Sequence, residues 1–192
     1  MLKTGISEEQ EQLFTSVAEM ASNHMQNKRY EEALGVSLKA MELGEKIYDL
    51  NTEHWTNNWD EDVHKLVRMY SLATNSCRQL GDNEKFTHYA DKCVGTNLTI
   101  AKSFESRGQF HVANAYYIRA RIFCQAFFGK ECETNARIRL YSGRVKYYMA
   151  NYREAKEELL AAQKISEVLF GKNHPLSIEI KCMLKVVEKV KR

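Results

Sequence analysis

Apolar positions recur at three- and four-residue spacing along most of this 192-residue chain, and the punctuation between them is sparse. Pro175 is the single proline, and nine glycines supply most of the breaks. No Val/Ile/Thr-rich alternating run bounded by turn residues is present, so the pattern predicts an all-α chain. Ser7 to Gln10 fits a capping box, followed by a helix to about residue 27 whose apolar face includes Leu13, Val17, Met20 and Met25. After a turn at Asn27 to Arg29, a second helix runs to about Leu50. Its Ala33, Ser37, Ala40 and Gly44 form a row of small residues that lets two helix backbones approach closely.

Thr52 to Glu61 is the longest polar interruption and holds both tryptophans, Trp55 and Trp59. Asp60 can cap a helix over 61–80. Gly81 can end it in a left-handed conformation, and Asp82 can cap the next. Residues 83–106 read as one long helix or as two broken near Gly95. Helices are expected over 109–128, 133–149 and 152–170, separated by Gly129 and by a tight turn at Ala150 and Asn151. Gly171 stops the last of these, and Pro175 suits the first position of a final helix. That helix puts Leu176, Ile180, Met183, Leu184, Val187 and Val190 on one face. The count is about eight.

The chain also repeats itself. Phe127-Phe128-Gly129-Lys130 and Leu169-Phe170-Gly171-Lys172 are 42 residues apart, as are Ala113 and Ala155, and Ala120 and Ala162. Such a period marks stacked helical hairpins, each burying a face on the next. The NYREA…L…A pattern at 151–162 returns as RYEEA…S…A at 29–40, as QFHVA…Y…A at 109–120, and more weakly as DNEKF…A…C at 82–93. Gly143 stands twelve residues before Ala155, as a small packing residue in the first helix of the hairpin. This pattern resembles the tetratricopeptide repeat (TPR). The segment from Gly143 to Lys181 resembles the last repeat of the helical carboxy-terminal domain of SET-and-MYND lysine methyltransferases, and it is similar to the repeats of kinesin light chains. The resemblance implies TPR-like antiparallel hairpins wound into a right-handed superhelix, over 7–51, 61–106, 109–149 and 152–191, with the final helix as a cap. It implies neither a SET nor a MYND portion, since nothing here matches them. The marks at Ala33, Phe86, Ala113 and Ala155 are 53, 27 and 42 residues apart, so the alternation is disturbed around 83–106.

Composition adds exclusions. A net charge of +3 is too small to argue for nucleic acid or a membrane. No apolar run is long enough to span a bilayer, and the amino terminus has no signal-peptide pattern, so a cytoplasmic, or alternatively nuclear, location is expected. Five scattered cysteines then suit reduced thiols, and the sequon at Asn97 is read as helix surface or interface. His88 and Cys93 fall about one turn apart, but no His or Cys pair has metal-ligand spacing, and no cofactor is implied. Phosphate-cradling glycine motifs and a serine elbow are absent, and acidic pairs such as Glu157-Glu158 are placed on exposed helix faces. No catalytic residue is therefore assigned and the chain is read as non-enzymatic.

The helix over 133–149 carries the densest candidate chemistry. At ~100° per residue, Ile138, Tyr141, Val145 and Tyr148 form one stripe, Arg137 and Arg144 one flank, and Arg139 and Lys146 the other. In the TPR register set by Gly143, the groove-lining positions are Arg137 and Arg144, with Arg68, Asn75 and Arg78 in the second copy and Lys102 in the third. A shift of one residue would promote Arg139 and Lys146 instead. Such a cationic set suits an acidic peptide or carboxylate. The expected function is a protein-interaction scaffold that binds a peptide or protein segment in a partly basic concave groove. Trp55 and Trp59 are candidate partner anchors, and the terminal helix is a surface for a second copy. Two alternatives stand beside it: an accessory or regulatory helical domain of an enzyme such as a SET-type methyltransferase, and, with less support, a nucleic-acid-binding array resting on the Tyr-Arg helix.

Overall fold

The computed structural model describes residues 8–47 and 59–190. Among them are eight helices: α1 (Glu8–Gln26), α2 (Tyr30–Ile47), α3 (Trp59–Leu80), α4 (Asn83–Ser106), α5 (Phe110–Phe128), α6 (Glu133–Tyr148), α7 (Tyr152–Phe170) and α8 (Pro175–Lys189). No strand occurs among the described residues. The expected all-α architecture is therefore present, and 83–106 is one uninterrupted helix running straight through Gly95. The capping box at Ser7 lies outside the described residues, as does Trp55. Trp59 opens α3, but its side chain is likewise outside them.

The chain forms two compact units whose boundary, between Thr96 and Asn97, falls inside α4. In the first unit α1, α2 and α3 pack mutually. The small-residue row is fully used there, since Ala33, Ser37, Ala40 and Gly44 are all buried. A Cβ on Gly44 would come within 2.9 Å of Leu66 Cδ1 and 3.0 Å of Phe14 Cε2. The expected face of α1 is corrected. Leu13 and Met20 are about half exposed, while Phe14, Ala18 and Ala21 are buried. These follow the i, i+4, i+7 row, so α1 docks through one aromatic and two small residues, and Leu13 and Met20 are left outside.

In the second unit α5 packs on α6, α6 on α7, and α8 on both α6 and α7. Ala136 and Leu140 of α6, Ala155, Leu159 and Ala162 of α7, and Leu176, Ile180, Leu184 and Val187 of α8 form one buried cluster. The face expected for α8 is thus largely correct, with Val190 exposed at its end. Because α6 meets neighbours on several sides, a single stripe describes it poorly. Ile138 and Val145 are buried as expected. Tyr148 is half exposed and stacks on Phe110 at 5.0 Å, and Leu140, Ser142 and Gly143 are buried as well.

Two kinds of turn join these helices. At Lys28, Gly81, Gly108 and Ala150 the backbone is left-handed (φ +58°, +75°, +72° and +61°), and the next N–H reaches back five residues to a helix carbonyl. At Gly129 and Gly171 it is extended at positive φ (+87°, ψ 178°; +84°, ψ 170°), and a longer joint follows. The 42-residue echo in sequence is therefore an echo in backbone conformation. Asp82 caps α4 as expected, its Oδ1 accepting from Lys85 N at 3.0 Å. At the second joint His174 Nδ1 accepts from Leu176 N, its ring stacks on Phe170 at 4.4 Å, and Pro175 takes the first helical position. α4 lies between two turns of the first kind, which places the disturbance of alternation at this helix.

Gly143 is the tightest crossing. A Cβ there would lie 2.7 Å from Leu159 Cγ and 3.2 Å from the Ala155 carbonyl oxygen, which cannot yield. Gly143→Ala should lower stability by ~2 kcal/mol through overpacking, and Gly44→Ala, which meets only side-chain ends, by less. Thermal unfolding followed by circular dichroism checks the ranking; a harmless Gly143→Ala would mean that the close approach constrains nothing.

Candidate functional site

The basic residues of α6 are not gathered on one surface. Each flank faces its own acid. On one side Arg144 of α6 holds Glu105 of α4 through two hydrogen bonds, Nε–Oε1 at 2.6 Å and Nη2–Oε2 at 3.1 Å. Tyr117 of α5 donates its hydroxyl to the same carboxylate at 2.7 Å. Burial first, then the hydrogen bond to Glu105, push the Tyr117 phenol well above its ordinary range. Arg137 pairs with Glu133 one turn back, at 2.7 Å. Lys102 Nζ lies 5.0 Å and Arg144 Cζ 5.2 Å from the Tyr141 ring centre, within cation–π range. Lys102, Arg137 and Arg144 thus lie together around Tyr141, two of them already carrying an internal acid.

The other flank is more deeply built. Glu158 of α7 is 7% exposed. Its carboxylate accepts from Arg121 of α5 and from Arg139 (2.7 Å) and Lys146 (3.3 Å) of α6. Lys146 also reaches Glu154 at 3.2 Å. The expectation of an exposed Glu157-Glu158 pair therefore holds for Glu157 alone. Burial alone would raise the Glu158 carboxyl, but Arg121, Lys146 and Arg139 together outweigh it and hold the group below its ordinary value of 4.5. Sequence carried a signal for this residue. Ala155, Glu158, Leu159 and Ala162 follow i, i+3, i+4, i+7, so an acid sits on the buried stripe.

The first unit contains a smaller acid-centred contact. Glu45 of α2 accepts from the Tyr70 hydroxyl of α3 and from Lys92 of α4 at 2.7 Å. Glu45 with Tyr70 and Lys92 thus has the same form as Glu105 with Tyr117 and Arg144. In each, one carboxylate ties a tyrosine and a cation from the next two helices. Arg68 and Arg78 are exposed and Asn75 is half-buried, with Arg78 lying 4.9 Å over Phe86. These three belong to the first unit, and Lys102, Arg137 and Arg144 to the second.

The remaining candidates are quickly placed. His88 is exposed, whereas the Cys93 thiol is buried against the Val67 carbonyl and pushed up by burial to about 12. No group of three or more His, Cys, Asp or Glu able to hold a metal occurs among the described residues. Cys124 and Cys132 are reduced thiols with sulfurs 3.5 Å apart. Asn97 is buried in α4, so the sequon has no room for a glycan. No helix among the described residues is long and apolar enough to cross a membrane.

Among solved structures, the chain is similar to BtubC (BKLC) from P. vanneervenii, with 16% identity, a TM-score of 0.50, and coverage of 95% of this chain and 74% of that one. The fold is a tetratricopeptide-like helical repeat. Kinesin light chain TPR-like repeats from Podosopora anserina, described as nearly identical to one another, align over 96% of this chain and 89% of theirs, at 17% identity and a TM-score of 0.45. A point variant of the same repeats aligns at 17% identity and 0.47, over 97% and 89%. At these identities the likeness extends to the fold alone. No family model and no curated protein matches the sequence.

The Glu158 cluster yields a test. Glu158→Gln removes one partner from three buried or half-buried cations, which should cost about 3 kcal/mol at neutral pH. The folded pKa lies below the unfolded one, so this stabilisation is present above the ordinary value and lost as pH falls through the folded one. Urea unfolding across pH should therefore show the gap between wild type and variant closing only as the pH falls below the ordinary glutamate value of 4.5. A gap independent of pH would remove the charge from the explanation.

Proposed function

We propose that this chain is a non-enzymatic protein-interaction module that binds an acidic protein or peptide segment along the Arg137/Arg144 flank of α6. The observation that carries the reading is the gathering of three cations at Tyr141, Lys102 and Arg144 over its ring and Arg137 hydrogen-bonded to its side chain. A carboxylate arriving there would meet a cation–π surface and guanidinium groups already oriented by Glu105 and Glu133, which suits charge-assisted recognition of an extended acidic segment. Arg68, Asn75 and Arg78 are the positions of the same repeat register in the first unit, and the proposal gives them the same role there. Self-association through the terminal helix would use the outer side of α8, where Ile178, Val186 and Val190 are exposed. A tetratricopeptide-like fold is in general a protein-interaction scaffold, and that generality supports the class of function assigned here.

Arg144 is a poor residue to remove, because its loss strands the largely buried Glu105 carboxylate. Lys102→Glu combined with Arg137→Glu leaves that pair intact. In fluorescence polarisation with a labelled Asp/Glu-rich peptide, wild type should bind with an affinity that falls as salt rises. The double variant should bind at least tenfold more weakly with its melting temperature within a few degrees, since surface substitutions away from buried features cost little. Unchanged binding by the variant, or none by wild type, would refute the assignment.

A further inference from the structure

We propose that Cys124 and Cys132 are a reversible redox pair, in which a peroxide converts the two thiols into a disulfide that locks the joint between α5 and α6. Cys124 lies one turn before the end of α5 and is fully buried. Cys132 is the N-cap residue of α6, half-buried, on extended backbone (φ −130°, ψ 158°). Their sulfurs are in contact at 3.5 Å, and the Cys132 sulfur also lies 3.7 Å from the Gly129 carbonyl oxygen. A disulfide needs the sulfurs to close to about 2.05 Å. The side that has to give is a joint whose Gly129, Lys130 and Glu131 are all exposed, while Cys124 is held by its helix.

The repeat indicates that this pairing is not imposed by the fold. At 42 residues further on, Ser166 in α7 and His174 at the N-cap of α8 occupy the corresponding positions. There His174 caps α8 by accepting from Leu176 N, and Ser166 donates to the Gln163 carbonyl within its own helix. Cys132 makes no such cap bond to α6. An N-cap favours Ser, Thr, Asp or Asn, and a thiol is a weak substitute for any of them. The sulfur at this position faces the other cysteine instead.

Access sets the order of the chemistry. Cys132, the partly exposed thiol, reacts first: its thiolate attacks one oxygen of hydrogen peroxide, the O–O bond breaks, and a sulfenic acid and hydroxide result. Cys124 needs no contact with solvent, because its partner's sulfur is already beside it. Its sulfur displaces the hydroxyl group from Cys132, the S–S bond forms, and the hydroxyl leaves as water with the Cys124 proton. In sum, two thiols and one peroxide give one disulfide and two waters. A dithiol reverses the change by exchange and is itself oxidised. The bond closes a short loop over residues 124–132, which restrains the unfolded chain and so stabilises the folded one.

The test uses the full chain with the exposed Cys182 replaced by Ser, which suppresses cross-links between copies. Treatment with a small excess of hydrogen peroxide, then alkylation, should leave two fewer alkylatable thiols than in the untreated protein. Non-reduced peptide mapping should place the link between Cys124 and Cys132, and dithiothreitol should restore both thiols. The oxidised protein should melt about 5 °C above the reduced one. Cys132→Ser, at a half-buried position, should leave Cys124 unoxidised at the same peroxide dose and remove the rise in melting temperature. In Cys124→Ser, Cys132 should stop at a sulfenic acid that dimedone captures. Thiols that survive peroxide, a link to Cys77 or Cys93, or oxidation of Cys132 past the sulfenic acid without a link would each overturn the proposal. So would an oxidised protein that melts no higher than the reduced one.

Discussion

Glu158 reaches into the space between three helices of the carboxyl-terminal unit and meets Arg121, Arg139 and Lys146 there. A buried carboxylate is stable only if its surroundings replace what water gave it, and one cation would do so poorly. Three cations over-compensate. They depress the carboxyl's proton affinity and leave the cluster with net positive charge, even with Glu154 on Lys146. The arrangement ties α5 to α7 across α6, fixes the rotation of α6, and so decides which flank each of its arginines occupies. The pairing of Arg144 with Glu105 on the far side is the complement of that choice.

Charge could not be placed this way if the helices stood further apart. Gly143 against Leu159 and the Ala155 carbonyl lets α6 and α7 approach until short contacts from α6 reach Glu158. The same logic holds in the first unit, where Gly44 admits Leu66 and Phe14, and Glu45 gathers Tyr70 and Lys92. The left-handed turns at Lys28, Gly81, Gly108 and Ala150 return the chain tightly enough to bring such residues level. Two of these positions are not glycine and accept the cost of positive φ.

What was legible in the sequence was local. Gly81 followed by Asp82, Pro175 after a glycine joint, and the small row at 33, 37, 40 and 44 depend on residues close in the chain, and they appear as expected. The repeat itself was legible for the same reason. The α1 face was misplaced by one position around the helix, since Phe14, Ala18 and Ala21 are buried where Leu13, Val17 and Met20 were expected. Glu158 was not found because its burial depends on which helices meet, and Arg121 lies 37 residues from its acid. Periodicity could have flagged Glu158 on the stripe of Ala155 and Ala162. The division of the α6 charges into two flanks was readable at ~100° per residue, but their partners were not.

These contacts give α6 two separate chemistries, one flank gathered around Tyr141 and the other anchored through Glu158. The whole account rests on the second being ionised and held. Carbon-13 NMR titration of the Glu158 side-chain carboxyl in the intact protein measures this directly. The account predicts a midpoint below the ordinary glutamate value of 4.5, shifting upward in Arg121→Gln. A midpoint at or above 4.5 in the wild-type protein would contradict it.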